Sequence, residues 1–326
     1  MLTVLMKTLK QYYQLLIRAI YNMIHVDDFI AERVRFESKK TMLETFAMAG
    51  TTKGVSDEIV DDEELVVSLT THGKRIHSVF RTIESIFQQT YKANKVVLYL
   101  GDKEYTSIEQ LPITLQRQVD RGLTVRFVKD VRSYTKLVPA LKEFPSAAII
   151  TVDDDFFYPF DLIERLMNAH KKNPKAVCAR VLKKLELIGK NKLKSYDDLE
   201  RFKSKGGMTD CAGYMPEGYG GVLYPPHCMP SVTIDESLFL SLCPSADDVW
   251  FAAVEMCNSI PIVHVPYEFV RTPSSQMKDL LENDDVQDIG LQQTNVLQRQ
   301  NDVQMKAVFD HFNLYEKLKY TIQNHI

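Results

Sequence analysis

The sequence predicts an α/β protein with a mainly parallel sheet flanked by helices and with helical extensions at both ends. Two observations support this class. Short apolar runs rich in β-branched residues recur at 65–70, 96–100, 124–128, 147–152 and 176–181. Apolar residues at helical spacing lie between them, at 76–87, 136–144 and 159–172. Strands that alternate with helices form βαβ units, whose sheet is covered on both faces.

Length and composition limit the classes of protein. The chain has 326 residues, enough for one large domain with appendages, and 45% of them are hydrophobic. The net charge of -3 gives no general attraction to nucleic acid, so we expect no nucleic-acid partner. The five cysteines are odd in number and contain no Cys-x-x-Cys pair, which favours a reducing, cytoplasmic location over a disulfide framework or a zinc site.

The changes of pattern along the chain predict three parts. We expect an N-terminal helical extension over residues 1–60, a main domain over 61–274 and a C-terminal helical tail over 275–326. Residues 1–24 carry three basic and no acidic residues among apolar ones, too many charges for a spanning helix. This segment could lie on the inner face of the plasma membrane as a peripheral helix, or pack its apolar stripe on the main domain.

Ligands of parallel α/β sheets bind beyond the carboxyl ends of the strands. The residues in those positions are 71–75, 101–102, 130–136 and 153–155, and three of the four segments carry acids. We therefore expect the chemistry of this protein at that edge.

The strongest motif is the acidic run that ends the most apolar strand, Asp153, Asp154 and Asp155. Adjacent carboxylates repel one another unless a cation compensates them. Side chains alternate along a strand, which predicts that Asp153 and Asp155 face one ion together. Oxygen ligands of this kind suit Mn²⁺ or Mg²⁺. The alternative is a solvated turn, or acids that complement the dipole of the following helix.

A hydrophobic strand that ends in Asp153-x-Asp155 resembles the DxD motif of glycosyltransferases with the GT-A fold, a Rossmann-like α/β fold. The resemblance covers about residues 64–270 and implies that Asp153 and Asp155 hold the metal ion while Asp154 lies at the donor nucleotide. Thr70, Thr71 and Arg75 resemble the nucleotide-binding start of family-2-like enzymes. Asp102 is similar to the acid that contacts the base in many of these enzymes.

Further residues carry two interpretations each. Lys136 and Arg75 could bind the donor phosphates or be solvated surface cations. Gly220 and Gly221 could border the acceptor pocket, as similar segments do in the resembling family, or form a tight turn. His264 could reach the metal ion, as a late histidine does in some of these enzymes, or be structural.

A second acidic pair, Asp247 and Asp248, precedes an apolar helical run. The resemblance implies that one of them, Asp248 by preference, deprotonates the acceptor hydroxyl in an inverting reaction. The alternative is a helix start that Ser245 caps and that the acids stabilise through the helix dipole.

The resemblance thus implies a metal-dependent transferase that uses a nucleotide sugar, with a UDP-sugar favoured, and a saccharide or lipid-linked saccharide acceptor. Synthesis of cell-surface polysaccharide or lipopolysaccharide would suit it. The Gln-x-x-Arg-Trp motif of processive synthases is absent, which favours single additions. Two alternatives stay open: another enzyme of phosphate chemistry, such as a nucleotidyltransferase or a phosphatase, and a non-catalytic protein that binds nucleotide sugars.

Overall fold

The computed structural model describes residues 26–202, 211–267, 280–283 and 300–325. Within these ranges seven strands form the central sheet: β1 (Leu65–Thr70), β2 (Lys95–Gly101), β3 (Leu123–Val128), β4 (Ala148–Thr151), β5 (Val177–Ala179), β6 (Val222–Tyr224) and β7 (Ile262–His264). The helices of the same ranges are α1 (Val26–Ala49), α2 (Val79–Phe87), α3 (Ile113–Asp120), α4 (Val138–Glu143), α5 (Leu162–Lys172), α6 (Glu236–Leu242), α7 (Asp247–Cys257), α8 (Gln300–Phe312) and α9 (Leu314–His325).

Shorter elements complete these ranges. Two-residue and three-residue strands pair outside the central sheet: Phe156–Phe157 with Leu281–Glu282, Leu182–Lys184 with Tyr214–Pro216, and Leu187–Gly189 with Lys192–Leu193. Turns of 3-10 helix lie at Gly73–His77, Ile108–Gln110, Arg132–Lys136, Tyr196–Asp198, Gly218–Gly220 and Ser231–Ile234.

The sheet order is β7-β5-β6-β4-β1-β2-β3, and every neighbouring pair is parallel except the two that involve β6. Strand β6 runs antiparallel to both β4 and β5. The predicted fold class, a mainly parallel sheet flanked by helices, is confirmed. Because β6 is reversed, its first residue, Val222, pairs with the last residue of β4, Thr151. The turn before β6 therefore reaches the edge where the parallel strands end.

Both faces of the sheet are buried. In β4, Ile149 packs into one apolar core, whereas Ala148 and Ile150 pack into the core on the other face. Each core belongs to helices that cover one side of the sheet, which is why β4 reads as an unbroken apolar run. Helix α8 contributes Met305 and Val308 to the core that contains Ile149. This C-terminal helix thus packs as part of the main body.

The C-terminal end of α1 is anchored to the main body by a buried ion pair. Arg121 donates to both carboxylate oxygens of Glu84, at 2.8 and 2.9 Å. It also donates to the carbonyl oxygens of Phe46, in α1, and of Thr52, just beyond it. The segment after α1 is therefore packed against the sheet domain and does not hang free of it. The division at residue 60 stays a prediction, and residues 1–24 lie outside the described ranges.

No helix in the described part of the chain combines the length and apolarity needed to cross a bilayer.

Candidate active site

Charged side chains from separate elements meet at the edge of the sheet where the parallel strands end. The acids Asp153, Asp154 and Asp155 follow β4, and Asp247 and Asp248 begin α7. The cations of this cluster follow two other strands, with Arg75 in the turn after β1 and Lys136 in the turn after β3. Two cations thus lie among five carboxylates, at the edge where the sequence predicts ligand binding.

Asp154 is held in place by three neighbouring side chains. It is 6% exposed. Its carboxylate accepts hydrogen bonds from Nη1 of Arg75, at 2.7 Å, and from the hydroxyl of Thr71, while its carbonyl oxygen accepts one from the Thr82 hydroxyl. The guanidinium also lies 3.2 Å from Asp155. Although burial lowers the pKa of Arg75, the two carboxylates raise it above its ordinary value. Arg75 is therefore a fixed internal cation of the acidic motif.

Lys136 joins the two acidic segments. Its Nζ atom lies 2.7 Å from Oδ1 of Asp153 and 3.1 Å from Oδ2 of Asp247. The turn that carries Lys136 is tied to β1, because the buried hydroxyl of Ser68 donates to the Lys136 carbonyl. Burial favours the neutral amine, but Asp153, Asp247 and Asp248 raise the pKa of Lys136 well above its ordinary value. The ammonium therefore stays charged and holds α7 against the end of β4.

Asp248 contacts the glycine turn and has a perturbed pKa. Its Oδ1 atom accepts a hydrogen bond from the amide of Gly218 at 3.1 Å. Burial and the neighbouring Asp247 raise the pKa of Asp248 well above its ordinary value. The residue before α7 is Ala246, which makes no side-chain cap, so the predicted capping role of Ser245 is wrong. Ser245 instead bonds to the C-terminal helix α8 through its amide.

Gly218 is the glycine that approaches the charged cluster, and the sequence prediction missed it. A Cβ atom at this position would lie 2.8 Å from Nζ of Lys136 and 3.1 Å from Oδ1 of Asp248. A side chain at this position would therefore displace the end of Lys136 or of Asp248. The signal was present in the Gly-rich segment from 218 to 221, but the spacing alone did not say which glycine meets the site.

The predicted site glycines, Gly220 and Gly221, have packing reasons of their own. A Cβ atom on Gly220 would lie 2.5 Å from the Val181 side chain. Gly221 has a φ of +89°, a left-handed conformation that favours glycine, and packs on Leu162. Both features match the tight-turn interpretation, and their role at an acceptor pocket stays a prediction.

Three other predicted residues lie at the same edge but make different contacts. The Thr70 hydroxyl donates to the carbonyl of Tyr99 in β2, at 2.9 Å. Asp102 is exposed just beyond β2. His264 ends β7, is buried, and packs edge-on against Phe202 with ring centroids 4.8 Å apart. Burial lowers the pKa of His264 to about 4, so its ring is neutral at pH 7. Neutral imidazole can ligate a metal ion, but within the described ranges His264 forms no metal-holding group with the acids.

The three acids lie beyond the end of β4 and do not continue the strand. Strand β4 ends at Thr151, so strict alternation does not extend through the acids, and Asp154 and Asp155 share the guanidinium of Arg75. The solvated-turn alternative is wrong for these two buried, paired carboxylates. Helix α5 begins only at Leu162, so the acids do not lie in its first turn. In the described part of the chain, no group of three or more His, Cys, Asp or Glu side chains is arranged to hold a metal ion.

A further charged group, which the sequence prediction also missed, flanks the Gly218 turn. Glu217 is buried and pairs with Arg201, and Nζ of Lys183 lies 3.8 Å from it. The Lys183 ammonium lies over the ring of Tyr196, 3.6 Å from its centroid. These residues come from a Lys-rich stretch without periodicity, and only tertiary packing brings them beside the site.

The fold and the site together define a mainly parallel α/β protein with an acidic, cation-bridged cluster at its ligand-binding edge. No family model and no curated protein matches the chain. Among solved structures, it is similar to residues 1–349 of TarS from S. aureus in complex with UDP, with 12% identity and a TM-score of 0.42 over 63% of this chain and 58% of that one. It is also similar to CMP:2-keto-3-deoxy-manno-octonic acid synthetase complexed with CTP, with 11% identity and a TM-score of 0.39 over 73% of this chain and all of that one. The chain thus matches under two thirds of the TarS fragment, and likenesses this distant do not assign it to a family.

Proposed function

We propose that the protein is a glycosyltransferase that moves a sugar from a nucleotide-diphosphate donor to an acceptor hydroxyl with inversion. The observation that carries this proposal is the convergence of Asp153 and Asp247 on Nζ of Lys136, at 2.7 and 3.1 Å. Glycosyl transfer needs a group that stabilises the leaving diphosphate and a base that activates the acceptor, close to one another. Here the two acidic segments suited to those tasks share one cation.

Asp248 is the proposed base. A carboxylate of ordinary pKa is a weak base at neutral pH, and burial beside Asp247 raises the pKa of Asp248 toward the range in which it can take a proton efficiently. The amide of Gly218 fixes one carboxylate oxygen, which leaves the other to accept the hydroxyl proton. Asp247 and Lys136 keep the pair oriented.

The charge balance of the cluster fits a divalent ion. Four carboxylates pair with two cations and Asp248 lies beside them, so a nucleotide diphosphate would meet net negative charge unless a further cation accompanied it. Mg²⁺ and Mn²⁺ use one or two carboxylates and complete their shell with water and substrate phosphates. We propose that Asp153 and Asp155 hold such an ion, which when bound supplies Lewis-acid stabilisation of the leaving diphosphate. Asp153 is the more accessible of the two, with 31% of its side chain exposed.

The proposed donor is a UDP-sugar and the proposed acceptor a saccharide or lipid-linked saccharide. These choices rest on the resemblance of the DxD motif. They would suit an enzyme that builds cell-surface polysaccharide or lipopolysaccharide on the cytoplasmic side of the membrane, with residues 1–24 as a peripheral contact.

The test combines binding and turnover. Calorimetry with UDP, GDP, CDP and CMP, each with Mn²⁺ and then with EDTA, should show metal-dependent binding of one nucleotide. Asp153→Ala should lose that binding, whereas Asp248→Asn should keep it and lose nucleotide release from the matching sugar donor. Asp310→Asn, which alters an exposed acid of α8, is the matched control and should change neither.

Three outcomes would contradict the proposal. Normal metal-dependent binding by Asp153→Ala would remove the donor-site assignment. Full turnover by Asp248→Asn would remove the base. Hydrolysis of a generic phosphate ester without nucleotide would indicate a phosphatase instead.

A further inference from the structure

Tyr158 connects the acidic motif after β4 with the glycine turn that holds Asp248, through its hydroxyl group. The side chain is fully buried, and Tyr158 is absent from every motif considered above. Its hydroxyl oxygen accepts a hydrogen bond from the amide of Asp153 at 2.9 Å. The same hydroxyl donates to the carbonyl oxygen of Tyr219 at 3.0 Å. One phenol group therefore uses both its donor and its acceptor capacity on two separate backbone segments.

A backbone hydrogen bond and the packing of the ring fix the position of this hydroxyl. The amide of Tyr158 donates to the Ser85 hydroxyl in α2 at 3.1 Å. The ring lies within the core that packs on α2 and α5. Phe156, two residues earlier, stacks on the ring of Tyr219 with centroids 5.3 Å apart. Because the ring is enclosed on all sides, the hydroxyl has no freedom to exchange its partners for water.

The bridge leads from the acidic motif to the proposed base. Tyr219 follows Gly218, whose amide holds Oδ1 of Asp248. Three hydrogen bonds thus connect the backbone of Asp153 with the carboxylate of Asp248 through Tyr158 and the glycine turn. This path is separate from the ion pairs of Lys136. Ion pairs tolerate sliding of the partners, whereas two directional hydrogen bonds to backbone groups fix their separation.

We propose that Tyr158 is a positioning residue that sets the distance between the donor-side carboxylate and the base. This inference rests on the proposed function and names a residue for that reaction beyond those predicted from the sequence. It differs from a purely structural role, in which the hydroxyl only satisfies two buried backbone groups. A structural role predicts lost stability alone, whereas a positioning role predicts lost turnover at unchanged donor affinity.

The test replaces the phenol by a ring of the same shape. Tyr158→Phe should keep the fold and the KM for the UDP-sugar donor within about twofold and lower kcat for nucleotide release about 10- to 100-fold, as expected for a small misplacement of reacting groups. Tyr99→Phe is the matched control, since Tyr99 is equally buried in β2 and its hydroxyl bonds to Glu143, away from the site. Thermal unfolding of both variants separates stability from turnover. Equal kcat in the two variants, or a loss confined to KM, would overturn the proposal.

If the wild-type protein releases nucleotide from no sugar donor, the proposed function is wrong, but the connection made by the Tyr158 hydroxyl can still be tested. Amide hydrogen exchange then decides. In Tyr158→Phe the amides of Asp153 and Gly218 should both exchange faster than in wild type, and in Tyr99→Phe neither should change. Faster exchange at Asp153 alone would show that the two segments are not coupled through the hydroxyl and would overturn the inference.

Discussion

Gly218 and Lys136 are so close that a single methyl group would not fit between them. A Cβ atom on Gly218 would lie 2.8 Å from the Lys136 Nζ atom. The amide of the same glycine donates to Asp248, and the same ammonium pairs with Asp153 and Asp247. The glycine turn, the cation and both acidic segments therefore form one unit, and a small change in any of them should be felt by the others.

Gly218→Ala should lower turnover with little loss of stability. The new methyl group would push the flexible end of Lys136 away from Asp247, and we expect kcat to fall about 10- to 100-fold. Gly220→Ala is the contrasting variant, because its methyl group would meet the side chain of Val181 at 2.5 Å and should act mainly on stability. Steady-state kinetics and thermal unfolding of both variants check this. Unchanged kcat in Gly218→Ala would contradict the close approach.

Lys136→Met should lower turnover and shift its pH dependence. Without the ammonium, Asp247 and Asp248 repel each other unscreened, so the pKa of Asp248 should rise further. A base with a higher pKa is deprotonated only at higher pH, and the acidic limb of the kcat/KM profile should move to higher pH. The loss of kcat should be about 100- to 1000-fold, as for a removed electrostatic group. If kcat/KM falls equally at every pH and the acidic limb does not move, Lys136 does not act on the pKa of Asp248.

Arg75→Met should destabilise the fold. The guanidinium is the buried partner of Asp154 and Asp155, and its removal takes the positive charge away from two buried carboxylates. Breaking a buried pair on one side costs about 3–5 kcal/mol of unfolding free energy. The double variant Arg75→Met with Asp154→Asn should recover part of that loss, because one of the stranded charges is gone. Urea unfolding at pH 7 gives both values, and equal stability of the single variant and wild type would refute this account.

Glu255→Gln should stabilise the protein at alkaline pH. Glu255 is fully buried in α7, neither of its carboxylate oxygens has a hydrogen-bond partner among the described residues, and burial raises its pKa to about 8. The folded state therefore holds a proton that the unfolded chain releases near pH 4.3. The free energy of unfolding therefore falls as pH rises from about 4 to about 8, at about 1.36 kcal/mol per pH unit, and levels off above pH 8. The total fall is roughly 5 kcal/mol.

Urea unfolding at intervals from pH 5 to pH 9 measures this slope. Glu255→Gln should remove most of it, whereas Glu236→Gln, an acid that pairs with two exposed lysines, should leave the alkaline slope unchanged. Parallel curves for wild type and Glu255→Gln would show that the buried carboxyl does not titrate as described.

The strands were predictable because both faces of the sheet are covered. The central runs 65–70 and 148–151 are buried along nearly their whole length and are mostly apolar, and that pattern is visible without any structure. The edge run 124–128 is only partly buried. Strand β6 is only three residues long and runs against its neighbours, so neither its length nor its composition indicated where it pairs. The same antiparallel pairing is what brings Gly218 to the site.

The acids were predictable as residues but not in their pairing. Position after an apolar strand identified Asp153, Asp154 and Asp155, whereas the cations that neutralise them depend on contacts across 17 to 80 positions of sequence. Arg75 and Lys136 were predicted either to bind donor phosphates or to be solvated surface cations. Both are buried and paired with acids, so the solvated interpretation is wrong, and phosphate binding stays a prediction. Tyr158 carries no sequence signal at all, because a buried tyrosine in a core looks the same whether or not its hydroxyl bridges two segments.

Because β6 runs antiparallel to its neighbours, it begins at the edge of the sheet where the parallel strands end. Its start lies at the charged cluster, and its end delivers the chain to the opposite rim of the sheet, where the amide of His227 bonds to the carbonyl of Pro145, before β4. Inserted peptides or fluorescent labels near His227 would accordingly sit on the far rim. A reporter attached to this segment should therefore leave the edge with the charged cluster unobstructed.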